Sequence, residues 1–256
     1  MNKEKFLNKV NIEDKSLLLD IYNKAILAEK TGKQLFSSYF CTNNICKVSC
    51  ELAHFLNLKI DIFGVFKDAE RQIIGFNVYD TEDFPIVLVK INYNSKFVNL
   101  EHKDFLGALT SLGIRREKMG DLVLKQNSCY VPIYEDLYEY IYMNLDHIAK
   151  APCRIEKMDL KTQVIPEFNF QEKSIIVSSN RADSIVASLC NISRTKALDL
   201  IGSSKVFVDY DEVKSKNKEI HGGSIVTIRG YGKFKMDSFI GETAKGRIKI
   251  LFKKFI

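Results

Sequence analysis

The spacing of apolar residues changes twice along this chain, and each change marks a layer that must be buried in a different way. Near the start, Leu17, Leu18, Ile21, Ala25 and Ala28 recur at helical spacing, and Thr31-Gly32-Lys33 ends that stripe. A second helix is expected from Asn44 to Phe55, with Val48, Leu52 and Phe55 on one side. From residue 59 the pattern shortens. Ile73–Tyr79 and Pro85–Asn92 are rich in strand formers, Leu122–Lys125 and Cys129–Ile133 flank a turn at Gln126-Asn127-Ser128, and Arg154–Met158 closes the series. Helices fall between them at 101–112, carried by Phe105, Leu109 and Leu112, and at 135–147, carried by Leu137, Ile141 and Leu145. The order β, β, α, β, β, α, β predicts a ferredoxin-like layer (split βαβ, RRM-like) with one extra strand.

The second change comes at Asn180. Ala182, Ile185, Val186 and Leu189 make a short helix that Asn180 can cap, and Ala197, Leu200 and Ile201 make another capped by Ser193. Strands follow at Val206–Val208, Ile225–Ile228, Phe234–Met236 and Ile248–Phe252. The fold class expected is therefore α+β. It comprises a helical region at 1–58, the ferredoxin-like domain at 59–160, a polar connector at 161–179 with a short apolar stretch at Ile175–Val177, and a mixed module at 180–256.

Charge separates that last module from the rest. Residues 181–256 hold 15 Lys and Arg against 8 Asp and Glu, a net of +7, and residues 1–180 hold 23 against 24, a net of −1. The whole excess of +6 lies in the final part, which points to an anionic partner for one module, most often nucleic acid. A chain of 256 residues with 46% hydrophobic residues can bury a core without staples. Six Cys at irregular spacing fit a reducing compartment. The opening MNKEKFLNKVNIEDK lacks the apolar centre of an export signal, and no run is long enough to span a bilayer, so a cytoplasmic protein is expected.

The cations of the module are placed where phosphates would sit. Arg181 and Arg194 stand at the starts of the two short helices, where unpaired N–H groups and the helix dipole favour anions, and Lys196 follows Ser193. Lys205 precedes the valine strand, and Arg229 and Lys233 flank Gly230-Tyr231-Gly232. In the terminal strand Ile248, Ile250 and Phe252 alternate with Arg247, Lys249, Leu251 and Lys253, so one face is mostly basic.

These residues resemble the S4 (αL-type) RNA-binding domain. The family's Arg-x-Asp is Arg181-Ala182-Asp183, its Ser-Arg is Ser193-Arg194, and its valine strand is Val206-Phe207-Val208. Three turn positions depart: Ser204 stands where Gly is usual, Asp209 where Asn is usual and Ser224 where Asp is usual. Upstream stand Asp68-Ala69-Glu70-Arg71, Glu101-His102-Lys103-Asp104-Phe105, Gly113-Ile114-Arg115-Arg116 and Gly120-Asp121. Downstream stand Arg229-Gly230-Tyr231-Gly232-Lys233-Phe234 and Gly241-Glu242-Thr243-Ala244-Lys245-Gly246-Arg247. With these the whole chain resembles the YlmH family of bacterial S4-domain proteins. Lys103 and Ala244 replace the usual Arg and Lys of two of these motifs.

The resemblance implies a non-enzymatic RNA-binding protein on the large ribosomal subunit, acting in quality control of stalled peptidyl-tRNA. Ribosomal RNA and tRNA or peptidyl-tRNA are then its partners. The RNA-binding residues expected are Arg181, Asp183, Ser193, Arg194, Lys196, Lys205, Arg229, Lys233, Lys245 and Arg247, with Asp183 either orienting Arg181 or capping its helix. A secondary contact is expected at His102, Lys103, Arg115 and Arg116. No catalytic residue, metal or cofactor is expected, nor a membrane partner, and the chain is expected to be a monomer.

Other clusters have plainer readings. Cys41, Cys46, Cys50 and His54 lack the close knuckles of a structural zinc site and read as small core residues. Tyr130, Tyr134, Tyr138, Tyr140 and Tyr142 read as a half-buried shell, His102 as half-buried at a helix end, and Asp68–Arg71 as a solvated loop. Phosphate loops, dinucleotide fingerprints and H-E-x-x-H are absent. The rival of another class is an RNA-modifying enzyme that uses the S4 module for delivery, with His102, Asp104 and Asp121 as its candidate groups. A weaker rival is a membrane-surface binder acting through the basic terminal strand.

Overall fold

A computed structural model describes residues 2–10, 15–96 and 98–256. The described residues form seven α-helices and three antiparallel sheets, in two compact units divided along the chain between Glu167 and Phe168. No described helix is long and apolar enough to cross a membrane.

The first unit opens with helices α1 (Lys3–Leu7) and α2 (Ser16–Thr31). Gly32 ends α2 in the left-handed conformation, with φ of 67°. Strands β1 (Leu35–Phe36) and β2 (Cys41–Thr42) precede α3 (Asn43–Phe55), and β3 (Ile60–Phe63) and β4 (Arg71–Phe76) follow it. All four strands share one sheet, in which β4 pairs with β1, β2 and β3. Leu18, Ile21 and Ala25 of α2 and Ile45, Val48 and Leu52 of α3 bury against Ile74 and Phe76 of β4. The N-terminal region is therefore a helix-on-sheet layer, and the boundary expected near residue 58 falls inside its sheet. Two-residue strands have no periodicity of their own, so β1 and β2 exist through their pairing with β4.

The next layer runs β5 (Ile86–Tyr93), α4 (His102–Ser111), β6 (Val123–Lys125), β7 (Ser128–Tyr134), α5 (Tyr138–Asn144), β8 (His147–Ile148) and β9 (Ala151–Met158). The sheet order is β6-β7-β5-β9-β8, antiparallel throughout. The strand expected at Ile73–Tyr79 is β4 and lies in the other sheet. Val87, Val89 and Ile91 of β5 face Phe105 and Leu109 of α4 and Ile141 of α5, so both helices cover one face. Each such fully buried side chain contributes about 1.5–3 kcal/mol. Ile73, Phe40, Val78, Phe84, Ile86 and Tyr134 form a further cluster that joins the two sheets of this unit. There the Tyr134 hydroxyl donates to the Ser37 carbonyl.

The second unit contains β10 (Phe170–Val177), α6 (Ala182–Cys190), α7 (Arg194–Gly202), β11 (Val206–Val208), β12 (Asp211–Glu212), β13 (Ile225–Ile228), β14 (Gly232–Glu242) and β15 (Ile248–Phe255). Its sheet runs β10-β15-β14-β13-β11-β12. Ile175 and Val177 of β10, Ile250 and Phe252 of β15, and Phe234 and Met236 of β14 bury under Ile185, Val186 and Leu189 of α6 and Ala197 of α7. The segment read as a connector thus contributes a full strand. Its eight residues pair from Phe170↔Phe255 to Val177↔Ile248, with a partner more than 70 positions away, so local pattern did not reveal it.

Asp121 has a structural use. It is 9% exposed, and its Oδ2 accepts from the backbone N–H of Glu70 at 2.6 Å and of Arg71 at 3.0 Å. This fixes the loop before β4, whose bend also requires Gly64, because a Cβ there would stand 2.6 Å from Ala69 Cβ. Glu70 in that loop is 3% exposed rather than solvated. Asp121→Ala removes a charged acceptor from two amides and should cost about 2–4 kcal/mol in urea unfolding, with Asp121→Asn losing less. An unchanged midpoint for Asp121→Ala would show that the loop does not depend on it.

Candidate nucleic-acid interface

The structure divides the expected cations into groups. Ser193 caps α7, its Oγ accepting the Lys196 N–H at 3.2 Å, as the sequence predicts. Arg194 is therefore the first residue of the helix. Its guanidinium turns back toward two hydroxyls: Nη2 donates to Ser178 Oγ at 2.6 Å and to Ser184 Oγ at 3.1 Å. Ser178 follows β10, and Ser184 is a buried residue of α6. Hydroxyl acceptors orient the guanidinium without neutralising it, so the charge stays available to an anion. These residues line a groove with Ser188, Asn191 and Arg247. Arg247 ends a tight turn in which its amide N–H donates to the Thr243 hydroxyl oxygen at 3.1 Å, Gly246 has φ of 68°, and Lys245 is exposed.

Arg181 occupies the cap position of α6, and Asn180 does not cap it. The Asn180 carbonyl instead accepts from the Ile220 N–H at 3.0 Å, and the Ala182 amide is taken by the Lys218 carbonyl at 2.9 Å. The Arg181 side chain lies along Asp183, with Nε–Oδ1 at 3.1 Å and Nη2–Oδ2 at 3.3 Å. Asp183 is 7% exposed at its side chain and Arg181 41%, so the buried carboxylate fixes the direction of a guanidinium that still reaches solvent.

Lys205, Arg229 and Lys233 form a separate group. The Lys205 carbonyl accepts from the Arg229 amide at 2.9 Å. The Arg229 guanidinium lies 4.9 Å from the centre of the Phe207 ring, and Lys233 Nζ lies 5.4 Å from that of Tyr210. The sequence reading did not single out Ser178 and Ser184. Ser178 fell in the segment taken for a connector, and only the pairing of β10 brings it to Arg194.

The three positions that depart from the S4 pattern have visible consequences. Ser204 and Asp209 hold positive φ values of 55° and 51°, where Gly and Asn are easier to accommodate. The other two departures touch: Asp209 Oδ2 accepts the Ser224 hydroxyl at 3.1 Å, and Oδ1 accepts the Ile225 amide at 2.9 Å. A carboxylate at 209 and a hydroxyl at 224 thus close the turn by bonding to each other.

The expected secondary contact in the first unit is dispersed. His102 begins α4 and is exposed rather than half-buried. Lys103 pairs with Glu101 at 2.8 Å, and that hydrogen bond raises its pKa. Asp104 accepts from the Glu101 amide at 2.8 Å, which fixes the helix start. Arg115 is exposed, whereas Arg116 is turned inward and donates to the carbonyls of Met119 and Gly120, both at 2.8 Å. That bonding anchors the loop leading to Asp121 and takes Arg116 out of an exposed patch.

Among the described residues no three His, Cys, Asp or Glu side chains converge as metal ligands. On α3, Cys46 faces the core while Cys50 and His54 face outward. Burial pushes the Cys41 thiol up to about 12 and Cys46 well above its ordinary value, so both are held as neutral thiols.

Comparison with known proteins places these observations in a family. The model described as "Putative RNA-binding domain in YlmH" matches residues 80–162, the stretch that carries the five-stranded sheet and its two helices. "Ribosome-associated protein quality control protein P2" of Bacillus subtilis is 30% identical over 195 residues, which cover 75% of this chain and 76% of that protein. A solved structure, "Cell division protein ylmH from Streptococcus pneumoniae", superposes with a TM-score of 0.51 at 20% identity, covering 61% of this chain and 97% of that one, and so shares its fold. On the breadth of the Bacillus match and the matching domain model, this chain belongs to the YlmH family.

Proposed function

We propose that this protein binds structured RNA without catalysing a reaction on it, and that it does so on the large ribosomal subunit in the cytoplasm during quality control of stalled peptidyl-tRNA. The observation that carries this reading is the Arg194 guanidinium, held by two hydroxyls at a helix N-terminus beside Arg247. A cation oriented in advance at such a place suits a phosphate oxygen. Arg181, steered by Asp183, together with Lys196 and Lys245 would extend that contact along a backbone. In this reading the second unit is an S4 domain, and the order β6-β7-β5-β9 favours a ferredoxin-like layer in the first. The name of the Bacillus relative supplies the ribosomal context. Ribosomal RNA and tRNA or peptidyl-tRNA are the proposed partners of a monomeric chain.

The enzyme alternative draws little support from the geometry. Asp121 is buried against the 64–71 loop, and Asp104 fixes the start of α4, so neither is directed at a shared pocket with His102. Profiling modified nucleosides in ribosomal RNA separates the two readings: the profile should be the same with and without the protein.

Binding driven by phosphate contacts releases counterions. If Arg194, Lys196, Lys245 and Arg247 each neutralise one phosphate, log affinity for ribosomal RNA should fall with log salt at a slope of roughly −3 to −4. Affinity that did not change with salt would contradict the electrostatic account. Arg194→Ala should cost about 1–3 kcal/mol in binding and flatten the slope by about one, measured by fluorescence anisotropy. The double variant Ser178→Ala/Ser184→Ala keeps the charge but releases it, so it should lower affinity while leaving the slope unchanged. Wild-type affinity in Arg194→Ala would remove this residue from the site.

A further inference from the structure

The sheet of the second unit has two faces, and the groove at Arg194 accounts for only one of them. α6 and α7 cover the face that carries Val206, Val226, Phe234 and Phe252. Strand register places Phe207, Thr227 and Lys233 side by side on the opposite face. It does the same for Lys235, Lys253 and Glu172, and for Phe255 and Phe170. Lys233 Nζ joins these sets, 5.6 Å from the Phe255 ring centre and 5.4 Å from that of Tyr210. Phe255 and Phe170 meet edge to face at 4.9 Å, and Arg229 lies over Phe207. Lys249 is exposed along the same strand, and Lys253 pairs with Asp237 at 2.7 Å.

A solvated sheet face is ordinarily polar, because partly exposed rings gain nothing from water. Here rings alternate with cations. Arg229, Lys233, Lys235, Lys249 and Lys253 share this face with three carboxylates, Glu172, Glu212 and Asp237, so cations outnumber anions and the face is electropositive. Cations and rings interleaved on strands match the two chemistries of an unpaired nucleotide, phosphate and base face. A duplex hides its base faces and would use only the cations.

We propose that this outer face, centred on Phe207, Lys233 and Phe255, is a second RNA surface that takes unpaired nucleotides, with bases on the rings and phosphates on the lysines. The proposal rests on the RNA-binding reading of the protein but assigns a different surface and a different form of RNA from the groove at Arg194.

The test uses the full chain, a short unstructured RNA and an RNA hairpin, each read by fluorescence anisotropy. Phe207→Leu and Lys233→Gln should each weaken the unstructured RNA about fivefold or more, and Phe207→Leu should leave the hairpin unchanged. Arg194→Ala should weaken the hairpin more than the unstructured RNA. Unchanged affinity of the unstructured RNA in folded Phe207→Leu and Lys233→Gln would overturn the proposal. So would displacement of that RNA by an acidic peptide at equal concentration, which would mark a protein-binding face. Should a variant misfold, thiouridine crosslinking to the wild type still decides. Adducts on the peptides holding Phe207 or Phe255 support the surface, and adducts confined to 178–194 refute it. Failure of both RNAs to bind would sink the RNA-binding reading itself, whereas Arg194-dependent hairpin binding alone would sink only this second surface.

Discussion

The bond pair from Arg194 to Ser178 and Ser184 is the contact on which the functional account depends. It draws together the end of β10, the buried side of α6 and the start of α7. A long cationic side chain on a helix start would ordinarily sample many rotamers, and ordering it on binding would cost entropy. Two neutral acceptors reduce that cost before any ligand arrives and leave the charge intact. Arg181 reaches a comparable end by another route, through a buried carboxylate. That arrangement fixes direction more firmly, but it surrenders part of the charge. The two guanidinium groups are therefore unequal, and Arg194 is the one best prepared for an anion.

Much of this was legible in the sequence. Apolar spacing located α2, α3, α4, α6 and α7 within a residue or two, because each helix buries one stripe against one sheet. The Ser193 cap and the Arg181–Asp183 pairing followed from residue type and short separation alone. What stayed hidden depends on distant pairing. β10 is only partly legible: Ile175–Val177 stands out as a short apolar stretch, but the rest alternates weakly and its partner is the final strand. β4 was assigned to the wrong sheet because its neighbours are set by two-residue strands that have no pattern. Arg116 looked like an exposed cation beside Arg115, yet two nearby carbonyls claim its guanidinium.

The three turn positions that depart from the S4 pattern are each accommodated locally. Asp209 and Ser224 differ from the usual residues at two positions and bond to each other, which closes the turn. Ser204 keeps a left-handed backbone without glycine, and its hydroxyl donates to Glu212 at 2.5 Å. These adjustments lie in turns, away from the groove at Arg194. Charge follows the same division, with a nearly neutral first part and a basic second part.

The central claim is that one oriented arginine couples this protein to ribosomal RNA. Its most direct test is density-gradient sedimentation of full-length wild type and Arg194→Ala with separated ribosomal particles at low salt. The account predicts that the wild type travels with free large subunits and that Arg194→Ala stays near the top of the gradient. Equal migration of the two proteins with the large subunit, or a wild type that never leaves the top, would contradict it.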